Sequence, residues 1–292
     1  MLPRNNASSK LVYYLSVPAS DGFPVVIYVQ ENGCRSVWPY FEAHRATFTS
    51  LGAAFAAVEV RGLKRGGRWR CPKEFLRNNS IGDRMLDYLQ MLHAFRGELP
   101  GWDRRILWVG ESEGGLLALM LARAISESTA AALLGSGGGL PPPEELALAK
   151  SKAMKEEGRS EQEIKQALAE LLAQIGRIME DPESSKTWLG RTNTFRWWSS
   201  YLSLNPLSDL EKLQIPLYLA HGVRDRAVPI ESSDRVEARF KELEKSNLTY
   251  ARYDDLDHRR LDSKGQSQED RVGTDLLDWI NKQIQMGGKS QP

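Results

Sequence analysis

The sequence predicts an α/β protein: a mostly parallel, twisted sheet of about seven strands, covered by helices on both faces, with a helical lid insertion. Short β-rich apolar runs alternate with helix-length segments, which is typical of parallel strands joined by crossover helices. Apolar residues make up 41% and charged residues 26% of the 292 residues, as in ordinary globular proteins and unlike disordered chains. One interval between two predicted strands, about eighty residues long, is far longer than a normal connection and indicates an insertion.

The predicted strands are short apolar runs bounded by turn residues or by helix-length segments. They are Leu11–Val17, Pro24–Gln30, Ala53–Val60, Ile106–Gly110, Ala130–Gly135, Pro216–His221 and Leu248–Tyr253. Residues 19–22, with the sequence Ala-Ser-Asp-Gly, form a turn signal between the first two runs. These two strands are therefore expected to pair as an antiparallel hairpin.

Helical segments separate or follow the later strands. They are Trp38–Thr49, Ser80–Leu99, Glu113–Glu127, Ser232–Ser246 and Arg271–Gln285. The last of them carries apolar residues at helical spacing from Val272 to Ile284, so we expect this face to pack on the sheet.

The long interval begins with a cluster of glycines and prolines, Gly137–Pro143, which ends the preceding element. Two helical segments follow, about Glu144–Glu157 and Ser160–Met179, and the second carries an apolar stripe at helical spacing. The predicted organisation is therefore a core formed by residues 1–139 and 203–292, with a helical cap at 140–202.

The strongest local motif is Gly-Glu-Ser-Glu-Gly at 110–114, which follows an apolar strand and begins a helix rich in alanine and leucine. A serine on so tight a turn has strained backbone, and side chains two residues before and after it would clash, which favours glycine at both places. Strand, G-x-S-x-G and helix is the context of a nucleophile elbow, so Ser112 is the candidate nucleophile. Glu111 and Glu113 are either solvated carboxylates or, for Glu111, a hydrogen-bonding group under the turn.

An activated serine needs a base, and the base needs an acid that orients it. Asp225 lies just beyond the end of a predicted strand, where open α/β sheets place groups that face a ligand. Of the four histidines, only His258 follows a late strand. We therefore predict the set Ser112, Asp225 and His258, and expect His221 to support the Asp225 loop.

These motifs, in this order, are similar to those of the serine hydrolases with the α/β-hydrolase fold, and the resemblance covers nearly the whole chain. It implies an oxyanion hole built from backbone N–H groups of Glu113 and of either Glu31 or Asn32. Glu31 stands where the family commonly has glycine. The position of Trp197 and Trp198, where the insertion returns to the core, favours either filling of that joint or contact with substrate, and we predict them as substrate-binding residues.

The predicted function is cleavage of a carboxylic ester, or a related acyl bond, through an acyl-enzyme. Two alternatives remain open: a serine aminopeptidase-like enzyme that cleaves short peptides, and a catalytically silent binding protein with the same fold. The loops that carry Cys34 and Cys71 are expected to meet at the rim of the site. A disulfide between these cysteines would fix the oxyanion loop, whereas two free thiols would fit a reducing cytosol.

Charge and composition exclude several other classes. The net charge of +1 gives no electrostatic footprint for nucleic acid. Two cysteines and four scattered histidines show no zinc-ligand spacing, so neither a metal nor another cofactor is predicted. The partners are expected to be small-molecule esters or short peptides, without a membrane span. Residues 1–10 hold no apolar leader, which favours the cytoplasm and leaves a secreted mature form and the oligomeric state open.

Overall fold

The computed structural model describes residues 10–67, 71–190 and 192–287. Residues 1–9, on which the expectation about a leader rests, lie outside the described residues. Within the described ranges, no helix is both long and apolar enough to cross a lipid bilayer.

The described residues contain a seven-stranded sheet with the strand order β1-β3-β2-β4-β5-β6-β7. All neighbouring strands are parallel except β1 and β3, so the prediction of a mostly parallel sheet is confirmed. The central strands are buried on both faces, which explains why they are continuous apolar runs rather than alternating ones. The strands are β1 (Tyr13–Ser16), β2 (Phe23–Val29), β3 (Ala54–Val58), β4 (Trp102–Glu111), β5 (Ser128–Leu134), β6 (Leu217–Gly222) and β7 (Leu248–Tyr253).

The predicted hairpin between the first two strands is wrong. β1 pairs antiparallel with β3, with Tyr13 opposite Val58, and β3 lies between β1 and β2. The physical reason is burial: β2 is fully buried and belongs in the sheet interior, whereas β1 is short, half-buried and suited to the edge. The turn around Gly22 (φ 77°) therefore carries the chain past the end of β3 instead of closing a hairpin between β1 and β2.

Helices cover both faces of the sheet, as predicted. α1 and α10 pack on one face, and α3, α4, α8 and α9 pack on the other. The helices are α1 (Trp38–Ser50), α2 (Lys73–Asn78), α3 (Ile81–Glu98), α4 (Glu113–Ala124), α5 (Pro142–Glu156), α6 (Glu161–Glu180), α7 (Phe195–Leu202), α8 (Pro206–Lys212), α9 (Ile230–Glu242) and α10 (Glu269–Gly287).

Among the described residues, four helices, α5 to α8, lie between β5 and β6, and the first three fall within the predicted insertion at 140–202, which is called the insertion below. α6 begins with a capping box in which the Ser160 hydroxyl accepts from the Glu163 N–H and the Glu163 carboxylate accepts from the Ser160 N–H. Its stripe is only partly covered: Leu171 is 6% exposed, whereas Leu172 is 58% exposed. The insertion therefore has its own small apolar cluster, which includes Ile178 and Trp198.

Candidate active site

Ser112 stands at the turn between β4 and α4 with φ 51° and ψ −126°, an uncommon and strained backbone conformation for a residue with a Cβ. The glycines of the motif make this turn possible. A Cβ on Gly110 would lie 2.6 Å from the Cα of Gly115, and a Cβ on Gly114 would lie 2.5 Å from the carbonyl oxygen of Gln30. Both distances are too short for real atoms, which agrees with the predicted reason for the G-x-S-x-G spacing.

Asp225 and His258 lie in the loops after β6 and β7, and His258 Nδ1 is 2.7 Å from Asp225 Oδ2. The other carboxylate oxygen of Asp225 accepts from the backbone N–H groups of Ala227 (2.8 Å) and Val228 (2.9 Å). These bonds hold the carboxylate in one orientation. Because Nδ1 of His258 faces this carboxylate, Nε2 is the imidazole nitrogen left for a reacting group.

His221, on β6, supports the Asp225 loop as the sequence predicted. Its Nε2 lies 3.1 Å from Asp225 Oδ2 and 3.1 Å from the carbonyl oxygen of Val228, and its Nδ1 lies 2.5 Å from Ser233 Oγ. Both groups near Nε2 are acceptors, so the neutral ring carries its proton there and accepts from the Ser233 hydroxyl.

The electrostatics of the pair follow from these contacts. Burial alone would raise the pKa of Asp225, but the hydrogen bonds from His221 and His258 hold that pKa well below its usual range. Burial alone would lower the pKa of His258, but its hydrogen bond to Asp225 and the charge of that carboxylate raise the pKa above 6.5. An ionised carboxylate thus favours the protonated imidazole.

The ends of three neighbouring strands place Ser112 and this pair at the same edge of the sheet. The Ser112 N–H donates to the carbonyl of Leu134 at 2.8 Å, and the Gly135 N–H donates to the carbonyl of Ala220 at 2.8 Å. A Cβ on Gly135 would lie 3.7 Å from His258 Nδ1, so the pair borders the turn. Among the hydrogen bonds within the described residues, none joins the Ser112 hydroxyl to His258.

Glu111, directly before Ser112, is a hydrogen-bonding group under the turn, one of the two roles considered for it. It accepts from the Tyr28 hydroxyl at 2.8 Å and forms an ion pair of 2.5 Å with Arg260. Arg260 has φ 61° and lies two residues beyond His258, so this ion pair connects the Ser112 turn to the loop that carries His258.

Glu113, directly after Ser112, is buried and paired with Arg84 of α3, whose Nη1 lies 2.9 and 2.8 Å from the two carboxylate oxygens. Burial raises the pKa of Glu113, and Arg84 opposes that rise. The backbone N–H of Glu113 belongs to the first turn of α4, where N–H groups have no acceptor within the helix.

The segment 30–34 after β2 is held at several points. The carboxylate of Glu31 pairs with Arg35. The Asn32 side chain accepts from Asn79 at 3.2 Å and donates to Asn193 of the insertion at 2.6 Å. Cys34 and Cys71 form a disulfide, with their Cα atoms 5.2 Å apart, so this segment is also tied to the loop after β3.

A cleft of about 880 Å³ opens beside this segment, within the size range of small-molecule sites. Asn32, Tyr40, Glu111 and His258 are among the residues that line it. Among the described residues, no three histidine, cysteine, aspartate or glutamate side chains converge as metal ligands would.

Trp197 and Trp198 are 4% and 5% exposed and lie in the apolar cluster of the insertion, at its joint with the core. Neither lines the cleft described above. The indole N–H of Trp197 faces the Glu113 carboxylate and partly opposes the rise in the pKa of that group, but it forms no hydrogen bond within the described residues. The substrate-binding role of both tryptophans stays a prediction.

Sequence reasoning missed the two arginines that bind the carboxylates flanking Ser112. Nothing in the sequence around Arg260 identifies it as a partner of Glu111, because an arginine in a loop is usually solvated. Arg84 gives a weak one: it lies three residues after Ile81 and four before Tyr88, on the buried face of α3.

Comparisons with known proteins agree with this architecture. No protein-family model matches the sequence, and a search of curated proteins finds no match either. Solved structures do match. Est1E from Butyrivibrio proteoclasticus aligns with a TM-score of 0.60 over 94% of both chains, at 16% identity. The monoacylglycerol lipase of Paleococcus ferrophilus aligns with a TM-score of 0.58 over 94% of this chain and 100% of the lipase, at 15% identity.

A thermophilic esterase from Thermogutta terrifontis aligns with a TM-score of 0.59 over 94% of this chain and 90% of the esterase, at 18% identity. At such low identity these likenesses concern the fold. The sheet order, the strained serine turn after β4 and the structural neighbours agree with the resemblance read from the motifs. The chain therefore has the α/β-hydrolase fold.

Proposed function

We propose that this protein is a serine hydrolase that cleaves a carboxylic ester, or a related acyl bond, through an acyl-enzyme formed on Ser112. Two observations support the proposal: Ser112 stands on a strained turn, and the hydrogen-bonded pair of His258 and Asp225 lies at the same edge of the sheet. The structural neighbours named above, two esterases and a monoacylglycerol lipase, agree with ester cleavage.

In the proposed mechanism, His258 Nε2 accepts the proton of the Ser112 hydroxyl as the serine oxygen attacks the carbonyl carbon. His258 then donates this proton to the leaving alcohol, and the acyl group stays on Ser112. A water molecule attacks the acyl-enzyme by the same route, which releases the acid and restores the serine. Asp225 stays ionised throughout and stabilises the imidazolium, in agreement with its low pKa. A hydrogen bond between a catalytic serine and its histidine is often long or poorly aligned without substrate, and it tightens when substrate binds.

The negative charge on the carbonyl oxygen needs donors that are already in place. We assign this role to the backbone N–H of Glu113 and to that of Glu31 or Asn32. Two nearby carboxylates would oppose such a charge, but Glu113 is paired with Arg84, and Glu31 is paired with Arg35. Each pairing offsets the negative charge of its carboxylate, and the N-terminal dipole of α4 favours a negative charge on the substrate oxygen.

We assign the insertion, residues 140–202, the role of a cap at the rim of the cleft. The supporting contact is the hydrogen bond from Asn32 to Asn193, which joins the proposed oxyanion loop to the returning segment of the insertion.

The test is a substrate panel on one preparation: p-nitrophenyl esters of increasing acyl length and aminoacyl-p-nitroanilides. We expect ester hydrolysis by the wild type and by the control Ser126→Ala, an exposed serine outside the site, and none by Ser112→Ala. Preferential cleavage of the anilides would favour the peptidase alternative. No turnover of either class would favour the silent binding protein.

A further inference from the structure

Arg84 joins the two backbone segments on either side of the proposed oxyanion hole. Its side chain is 8% exposed and lies on the first turns of α3. Nη1 donates to both carboxylate oxygens of Glu113, at 2.9 and 2.8 Å, and Nη2 donates to the backbone carbonyl of Gln30 at 2.5 Å. One guanidinium thus binds the residue after the nucleophile and the residue before the oxyanion loop.

These two segments belong to different parts of the fold. Glu113 begins α4, and Gln30 follows β2; the ladder between β2 and β4 ends at the pair Val29 and Gly110, so both residues lie just beyond it. They also approach closely, because a Cβ on Gly114 would lie 2.5 Å from the Gln30 carbonyl oxygen. Small changes in their separation would therefore move the donors of Glu113 and of Glu31 or Asn32 relative to each other.

We propose that Arg84 is a positioning residue that sets the separation of the two backbone donors of the oxyanion hole. The inference rests on the proposed function, because it concerns the stabilisation of charge on a substrate carbonyl oxygen. Arg84 itself acts only through Glu113 and Gln30.

The chemistry of the contact favours this role over simple charge neutralisation. A buried ion pair is a poor source of stability, since desolvation of both charges opposes their attraction. A lysine could neutralise Glu113 as a point charge, but only the planar fork of arginine directs fixed donors to a carboxylate and a carbonyl together. The arginine therefore adds a bridge between the Glu113 carboxylate and the Gln30 carbonyl, and not only a positive charge.

The chain offers a matched control on the same face of the sheet. Arg61 forms a buried ion pair with Asp87 of α3 at 2.6 Å, and its Nη2 lies 2.6 Å from Gln90. This pair is as deeply buried as the Arg84–Glu113 pair, with side chains 7% exposed, but Asp87 and Gln90 lie outside the segments next to Ser112. Replacement of either arginine by lysine perturbs a buried ion pair, but only Arg84→Lys alters the proposed oxyanion hole.

The experiment compares kcat and KM for a p-nitrophenyl ester in wild type, Arg84→Lys and Arg61→Lys, with melting temperatures as a measure of folding. Loss of a complete oxyanion donor lowers kcat by about 10²–10³-fold, so we expect displaced donors in Arg84→Lys to lower kcat by about 10-fold or more. KM should stay within about twofold, because the donors act on the transition state. Arg61→Lys should keep kcat within about twofold of the wild-type value, even if its melting temperature falls as much as that of Arg84→Lys.

A second readout is the affinity for an arylboronic acid, whose tetrahedral adduct on serine places an oxygen where the oxyanion would lie. Arg84→Lys should weaken this affinity by about the same factor as kcat/KM, as expected of a transition-state analogue. If Arg84→Lys does not fold, Arg84→Met combined with Glu113→Gln removes both charges together and should show the same selective loss of kcat.

A folded Arg84 variant with wild-type kcat overturns the inference, and so does an equal loss of kcat in Arg61→Lys. In both cases an active wild type leaves the proposed function intact. An inactive wild type whose Ser112 does not react with a fluorophosphonate overturns the proposed function and this inference together.

Discussion

Glu145 offers a quantitative test of how the insertion is joined to the core. This residue of α5 is 4% exposed, and its carboxylate accepts from the Ser232 hydroxyl of α9. The same hydroxyl accepts from the backbone N–H groups of Gly139 and Leu140 at 3.0 and 3.1 Å. Glu145 therefore lies at the point where the chain leaves the sheet and enters the insertion.

Burial raises the pKa of Glu145 from its ordinary 4.5 to about 7, and the charge of Asp225 adds to the rise. The folded state thus binds a proton that the unfolded state releases between these two pH values. The stability this provides is fully present below pH 4.5 and is lost as the pH rises through about 7. Above both pKa values, a shift of this size lowers the free energy of unfolding by about 3 kcal/mol.

We expect Glu145→Gln to stay neutral at every pH and to avoid this loss. Urea unfolding without reductant should give similar stabilities for wild type and variant at about pH 5, and a variant about 2–3 kcal/mol more stable at about pH 8. Glu144→Gln is the matched control, because Glu144 is the next residue in the chain and its side chain is 60% exposed. A stability difference that is the same at both pH values would refute the reasoning, as would an equal gain in the control.

Three further predictions follow from the described contacts. The kcat/KM for a neutral ester should fall on acidification with a midpoint above pH 6.5, because His258 must be neutral to accept a proton and its pKa is raised. A kcat/KM that does not change on acidification would contradict this. Replacement of Cys34 and Cys71 by serine should lower the unfolding free energy by about 4 kcal/mol for a 37-residue separation, and two free thiols in the unreduced, denatured protein would contradict the bridge. Leu171→Ala should cost about 2–4 kcal/mol and Leu172→Ala less than about 0.5 kcal/mol in urea unfolding; equal costs would contradict the observed burial of α6.

The strands were predictable, and the candidate residues could be proposed, because the signals for both are local. Apolar runs, the G-x-S-x-G turn and the placement of Asp225 and His258 after late strands depend on neighbouring residues and on chain order. Each predicted strand overlaps an observed one, although β4 begins four residues before the predicted Ile106. The short helices α2, α7 and α8 were missed, because six to eight residues give too few turns for a clear period.

Features that depend on contacts between distant segments were not predictable. The Asp-Gly turn fits a hairpin locally, and only the burial of β2 decides that β3 lies between the first two strands. The ion pair between Arg84 and Glu113 joins residues 29 positions apart, and nothing in either neighbourhood identifies the partner. The disulfide was one of two open alternatives, since spacing alone does not show that Cys34 and Cys71 meet.

The central claim, that Ser112 is an activated nucleophile, is tested most directly by active-site labelling with a fluorophosphonate followed by peptide mass spectrometry. We expect one label per chain on Ser112 in the wild type and in Ser126→Ala, and no label on folded Ser112→Ala. Turnover of the preferred ester should fall by about 10⁴–10⁶-fold in the same variant. A label on another residue, or a folded Ser112→Ala that hydrolyses the ester at the wild-type rate, would contradict the claim.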